Sequence, residues 1–314
     1  MGGGGSGGFS GGSSSTSYRE LIDESRQGTE ASSNETEINE KIKNILSSYN
    51  NRDSEEHRSR LDEIRSIVTE EIEGSVELKF GGSVSKHTYC DGLSDVDVLM
   101  YVHKTELADL SPREVLEFVK NKLAERGLKN VKEIRTGQLA VTVVYNDDTE
   151  IQVLPAIKRG AGVKIPSAKG NEWSSVIRPD KFAEKLTEVN QKWGGNVVPV
   201  IKLAKVINSN LPEDQQLTGY HIESMAIEAF KNYPADKPST PKIMLKHFYE
   251  KSIDTVNSNI KDKTGQSIHV DDYLGPENSA ERLRRSYALK RVYQKMEDAD
   301  KIGSKEEWGE LLSE

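Results

Sequence analysis

The chain has 314 residues, 34% hydrophobic and 30% charged, with a formal net charge of −8. That length can bury one sizeable core or two smaller ones, and the acidic balance argues against a protein that coats long nucleic acid, since phosphate contact needs a basic footprint. The single cysteine, Cys90, excludes an internal disulfide and a cysteine-based zinc module and fits a reducing cytoplasm; nothing approaches the roughly 18 consecutive apolar residues of a membrane span, so no membrane contact is expected.

The opening "MGGGGSGGFSGGSSSTS" lacks the apolar region of a secretory signal. It fits the N-myristoylation pattern at Gly2 and Ser6 only because a Gly/Ser tract satisfies that pattern by composition. Residues 1–36 are expected to be a disordered tail. Ile38, Ile42, Ile45, Leu46 and Tyr49 follow helical spacing, and the stripe resumes at Leu61, Ile64, Ile67, Val68 and Ile72, which predicts one long or two short amphipathic helices closed by Gly74. "VELKF" (Val76 to Phe80) and "DVDVLMYV" (Asp95 to Val102) read as strands. Ser111, Pro112 and Glu114 form a helix start with a capping box, and Gly127 ends that helix. "LAVTVVY" and "TEIQVLPAI" flank the turn "NDD" as a hairpin. From about Arg178 the pattern is helical, in "RPDKFAEKLTEVNQKW", "VVPVIKLAKVINSN", "GYHIESMAIEAFKNY", "PKIMLKHFYEKSIDTVNSNI" and "SAERLRRSYALKRVYQKMEDA". The division expected is a tail (1–36), an α+β module with the N-terminal helices (37–177) and a helical lobe (178–314).

The chemistry concentrates in "KFGGSVSKHTYCDGLSDVDVLMYV", Lys79 to Val102. Asp95 and Asp97 alternate along a strand and so share a face, an arrangement tolerated best around a hard divalent cation, Mg²⁺ or Mn²⁺. Taken alone, "DVD" reads equally as a solvated strand edge. Twelve positions earlier, Gly81 and Gly82 allow close backbone approach to an anion and Ser83 adds a hydroxyl, on a helix expected to cover "SVSKHTYC" and to end at Gly92. A phosphate cradle facing a metal-holding carboxylate pair suits metal-assisted phosphoryl or nucleotidyl transfer.

"GGS" followed by "DVD", with an adjoining strand ending "VLPA", resembles the DNA polymerase β-like nucleotidyltransferases. "VIKLAKVIN", "LTGYHIESMAIEAF" and "GQSIHVDDYLG" narrow the resemblance to the cyclic GMP–AMP synthase and dinucleotide cyclase-like enzymes, above all the bacterial oligonucleotide cyclases of anti-phage signalling. The similarity runs from about Ile38 to the C-terminus. It implies an α+β fold, with a polymerase β-like mixed sheet, long N-terminal helices and a helical C-terminal lobe. The implied activity is metal-dependent synthesis of a cyclic di- or trinucleotide from nucleoside triphosphates, the product acting on a separate effector protein; whether an activating partner is needed stays open.

On the same resemblance, Gly82 and Ser83 contact nucleotide phosphates, and Asp95 and Asp97 ligand two metal ions. Lys202 and Lys205 are three apart on one helix face, where the family places a lysine against the triphosphate, Lys205 being the favoured one; a solvated lysine face is the other reading. Thr218 supplies a hydroxyl, since Gly219 stands where serine is usual, and Tyr220 either stacks on a base or packs in the core. The family's third carboxylate falls at Gln152, whose neutral amide cannot bridge metals. Glu150, two residues earlier on the same face, is expected to replace it; a two-carboxylate site and an inactive enzyme are the other readings, and Gln152 could be an engineered change. Rivals to the cyclase are a transferase adding nucleotides to RNA ends or another acceptor, and a nucleotide-binding sensor without activity. His269, Asp271 and Asp272 read as structural rather than metal-binding, Cys90 as a packing residue, and Lys158, Arg159 and Lys164 as either a nucleotide-attracting group or a solvated loop.

Overall fold

Alternation in "DVDVLMYV" decides which way the central strand faces: Val96, Val98, Met100 and Val102 are buried on one side, leaving Asp97, Leu99 and Tyr101 on the other. The computed structural model describes residues 34–49, 54–71, 75–90, 95–103, 106–167, 171–264 and 269–312. Most of the tail and the expected helix end at Gly74 lie outside these residues. Residues 34–36, assigned to the tail, form the first turn of helix α1 (34–48).

The sheet runs β1-β2-β5-β4-β3, built from β1 (Ser75–Phe80), β2 (Val96–His103), β3 (Val131–Thr136), β4 (Val141–Tyr145) and β5 (Glu150–Arg159), with β6 (Gly162–Lys164) paired to β5. β2 and β5 are parallel and the other pairs antiparallel, so the sheet is mixed. Helices α2 (Ser54–Glu71) and α4 (Pro112–Arg126) cover one face, burying Leu61, Ile64, Val68, Val115, Val119 and Leu123 against the inward strand residues. At the start of α4 the Ser111 hydroxyl accepts from the Glu114 amide and the Glu114 carboxylate accepts from the Ser111 amide, the reciprocal box its sequence predicts.

The second core is helical, formed by α5 (Pro179–Lys192), α6 (Val197–Ser209), α7 (Gly219–Lys231), α8 (Pro241–Thr255), α9 (Ala280–Ile302) and α10 (Lys305–Leu312). Ile38 and Ile42 of α1 belong to this core rather than to the sheet's, and Lys242 and Lys305 pair with Glu35 and Glu37. The two N-terminal helices therefore serve different lobes. Among the described residues no helix is long and apolar enough to cross a membrane.

Candidate active site

β1 ends at Phe80, where the Gly81 amide donates to the Asp97 carbonyl at 2.8 Å. The chain then turns through Gly82 at φ +47°, and a Cβ built there would lie 1.6 Å from Asp97 Oδ2. Only glycine fits, on conformation and on space. The Ser83 amide donates to the Asp97 carboxylate, while the buried Ser83 hydroxyl has no hydrogen-bond partner among the described residues.

The helix expected over 83–90 is only one turn, α3 (Gly82–Ser85). His87 adopts φ +59°, its amide reaches the Val84 carbonyl at 3.2 Å, and the Thr88 amide reaches back to the Ser83 carbonyl at 2.9 Å. This Schellman closure ends the helix early and turns Thr88 inward. The expected end at Gly92 lies outside the described residues.

Asp97 and Gln152 are register partners across β2 and β5, and the Gln152 carboxamide donates to Asp95 Oδ2 at 2.5 Å. Desolvation, then the charge of Glu150, pushes the Asp95 carboxyl above its ordinary value. Asp97 rises through desolvation against the opposing pull of Lys86, with Asp95 adding to the rise. Two carboxylates crowded in this way are hard oxygen donors short of positive charge, and they fit Mg²⁺ or Mn²⁺, which take one or two carboxylates and complete their shell with phosphate and water. Glu150 is held elsewhere, accepting from Arg135 Nη2 at 2.6 and 2.8 Å. Among the described residues no three His, Cys, Asp or Glu side chains gather as a metal site. Glu150 would have to exchange its guanidinium partner to become a third ligand.

The helical lobe closes over the loop. Lys205 is buried, and its ammonium donates to the Thr88 carbonyl at 3.0 Å, the Thr88 hydroxyl at 3.4 Å and Glu223 at 3.0 Å. Lys202 is also buried, its carbonyl 3.8 Å from Cys90 Sγ. Thr218 caps α7 by accepting from the His221 amide. The Tyr220 ring packs on Phe182 at 4.6 Å, and its hydroxyl donates to Asp262 at 2.8 Å. Burial raises the Cys90 thiol's pKa, and the side chain is enclosed. Asp271 is wholly buried against Arg282 at 2.5 Å, and His269 pairs with Asp272. Lys158 and Arg159 are exposed at the end of β5, paired to Val163 and Gly162 of β6.

Sequence reasoning passed over Lys86, Thr88 and Glu223, which meet at the centre of the lobe contact. Glu223 pairs with Lys86 and accepts from the Thr88 hydroxyl at 2.5 Å, across 135 residues of chain. Burial by itself would push the Glu223 carboxyl up, but Lys86 and Lys205 outweigh it and hold the group below its ordinary value. The available signal was an acid set among Ile222, Met225 and Ala226 on an otherwise apolar helix face.

A mixed sheet whose Gly–Gly–Ser turn closes on a carboxylate pair, beneath a helical lobe, defines a nucleotidyltransferase of the polymerase β-like class. Residues 32–190, half the chain, match the Second Messenger Oligonucleotide or Dinucleotide Synthetase domain, and the chain belongs to that family. It is a nucleotidyltransferase that makes an oligonucleotide or dinucleotide second messenger, in line with the resemblance to cyclic GMP–AMP synthase and dinucleotide cyclase-like enzymes. Escherichia coli MS115-1 CdnC with ATP superposes with a TM-score of 0.63 at 13% identity, covering 82% of this chain and 89% of that one. The Bradyrhizobium diazoefficiens CD-NTase CdnG in complex with GTP gives 0.61 at 15%, covering 81% and 88%. Vibrio cholerae DncV cyclic AMP-GMP synthase, with a linear intermediate, gives 0.59 at 10%, covering 94% and 89%. These likenesses concern the fold. No curated protein sequence matches the chain.

Proposed function

We propose that the chain joins nucleoside triphosphates at the Asp95/Asp97 pair and closes the product into a cyclic di- or trinucleotide that activates a separate effector in anti-phage signalling. The observation that carries this reading is the lodging of the Asp97 carboxylate against Gly82 and the Ser83 amide, which sets the carboxylate pair beside an unpartnered buried hydroxyl. Gly82 admits the Asp97 carboxylate to the turn, and the Ser83 hydroxyl donates to a nucleotide phosphate. Asp95 and Asp97 hold Mg²⁺ or Mn²⁺, which offsets charge on the attacking hydroxyl and the departing pyrophosphate. The 2′- or 3′-hydroxyl of one nucleotide forms a bond to the α-phosphorus of another, pyrophosphate leaves and one proton is released; a second such step closes the ring. The similar structures of a cyclic AMP-GMP synthase and of nucleotide-bound relatives support the reaction class.

The test is pyrophosphate release from the four ribonucleoside triphosphates with Mg²⁺ or Mn²⁺. Wild type releases it, and Asp95→Ala/Asp97→Ala lowers the rate by at least about 100-fold. Glu150→Ala tests the third carboxylate by itself: a loss as large as the double variant's adds it to the donor set. A wild type that binds nucleotide, raising its melting temperature, yet releases nothing is a sensor instead.

A further inference from the structure

The register of the sheet sets four polar side chains in a square on one face. Asp97 lies opposite Gln152 across β2 and β5, and the same register continued two residues back brings Asp95 beside Glu150. Thr142 of β4 and Arg135 of β3 extend the Asp97–Gln152 row, so Arg135 stands on this face two strands beyond Gln152. From there its guanidinium crosses to Glu150 and holds both carboxylate oxygens, at 2.6 and 2.8 Å.

Oxygens decide how many cations such a square can hold. Gln152 donates to Asp95 Oδ2, the Ser83 amide donates to the Asp97 carboxylate, and Arg135 takes both oxygens of Glu150. Among the described residues, Asp95 and Asp97 therefore keep one uncommitted oxygen each and Glu150 keeps none. Mg²⁺ or Mn²⁺ needs only one or two carboxylates when phosphate and water complete its shell, which matches what the pair offers. A second ion about 3.5–4 Å away needs a further hard donor beside them. Gln152 turns an N–H to Asp95, and the charge of Glu150 is already met by Arg135.

We propose that this site takes a single divalent cation, held by Asp95 and Asp97, and that Arg135 is the positioning residue that keeps Glu150 out of the donor set. The inference deepens the nucleotidyl-transfer reading and rests on it. The two ions and third carboxylate that the resemblance implies are reduced to one ion and two carboxylates.

The experiment titrates the full chain with Mn²⁺ in the presence of α,β-methylene analogues of the four ribonucleoside triphosphates, and follows binding by electron paramagnetic resonance. Two Mn²⁺ ions at the spacing of a two-metal site couple and give closely spaced lines, whereas a single ion keeps its own hyperfine pattern. Wild type gives the single-ion pattern, lost in Asp95→Ala/Asp97→Ala, and Gln152→Asp gives the coupled one. Arg135→Leu releases Glu150 and tightens Mn²⁺ binding about tenfold. Adding Glu150→Asp, which keeps the charge and shortens the arm, abolishes that gain. A coupled pair in wild type, or no bound Mn²⁺, overturns the inference. Unchanged Mn²⁺ affinity in Arg135→Leu, or a gain that survives Glu150→Asp, overturns the part given to Arg135. Melting temperatures establish that each variant folds; if Gln152→Asp does not, wild type and the Arg135 variants decide. The complex measured does not react, so a wild type that binds one Mn²⁺ yet releases no pyrophosphate from the natural nucleotides overturns the preceding reading and supports the single-cation site.

Discussion

Gln152 decides what Asp95 does in the absence of metal. Its carboxamide donates to Asp95 at 2.5 Å, a bond to a charged acceptor that an aspartate at this position could not make. Gln152→Asp would instead place a carboxylate against Asp95, which already carries the repulsion of Glu150. In chelator that variant should lose about 2 kcal/mol of stability, and Mg²⁺ or Mn²⁺ should raise its melting temperature more than wild type's, because the added carboxylate offers a further hard donor. Equal metal responses in the two proteins would contradict the picture of an amide-restrained pair. At this scale the sequence made the glycines, Ser83, Asp95 and Asp97 readable, because their spacing is local and their chemistry unusual. Glu223 was not readable: its partner Thr88 lies 135 residues away, and no local pattern records a pairing over that distance.

Among the elements, α7 carries a group whose ionisation should be visible in stability. His221 is fully buried, with Nδ1 3.0 Å from the Tyr273 hydroxyl. Desolvation, against the pull of Asp271 and with the help of Arg282 and Arg285, lowers its pKa to about 4 from 6.5. The unfolded chain therefore takes up a proton near pH 6.5 that the folded chain refuses until about pH 4, so stability present above 6.5 is lost as the pH falls through this window. The expected loss is about 3 kcal/mol. Urea unfolding at neutral pH and near pH 4.5 should show it in wild type and show a flatter dependence in His221→Gln; identical pH dependences would contradict the assignment. Elements with strong periodicity or caps, such as α4 and α5, follow their sequence closely. β3 does not announce itself, because "VKEIRT" is a mostly exposed strand at the sheet's edge with no clean alternation. α3 was expected to be longer than it is, because nothing before the fold is known marks His87 for the left-handed conformation that ends it.

For the molecule as a whole, the switch from strands to helices near Arg178 was legible as a change of hydrophobic period, and the helices after it share one buried core with α1. The attachment of α1 was not, since an amphipathic stripe shows that a helix has an apolar face and not which core receives it. The Lys86–Glu223–Lys205 cluster ties the helical lobe to the loop after the Gly–Gly–Ser turn. The central claim is that this assembly produces a closed oligonucleotide. Its most direct test is incubation with α-³²P-labelled nucleoside triphosphates and Mn²⁺, followed by phosphatase and chromatography. A labelled product that resists phosphatase, absent with Asp95→Ala/Asp97→Ala, is the predicted result. Label recovered wholly as inorganic phosphate from a wild type that folds and binds nucleotide would contradict it.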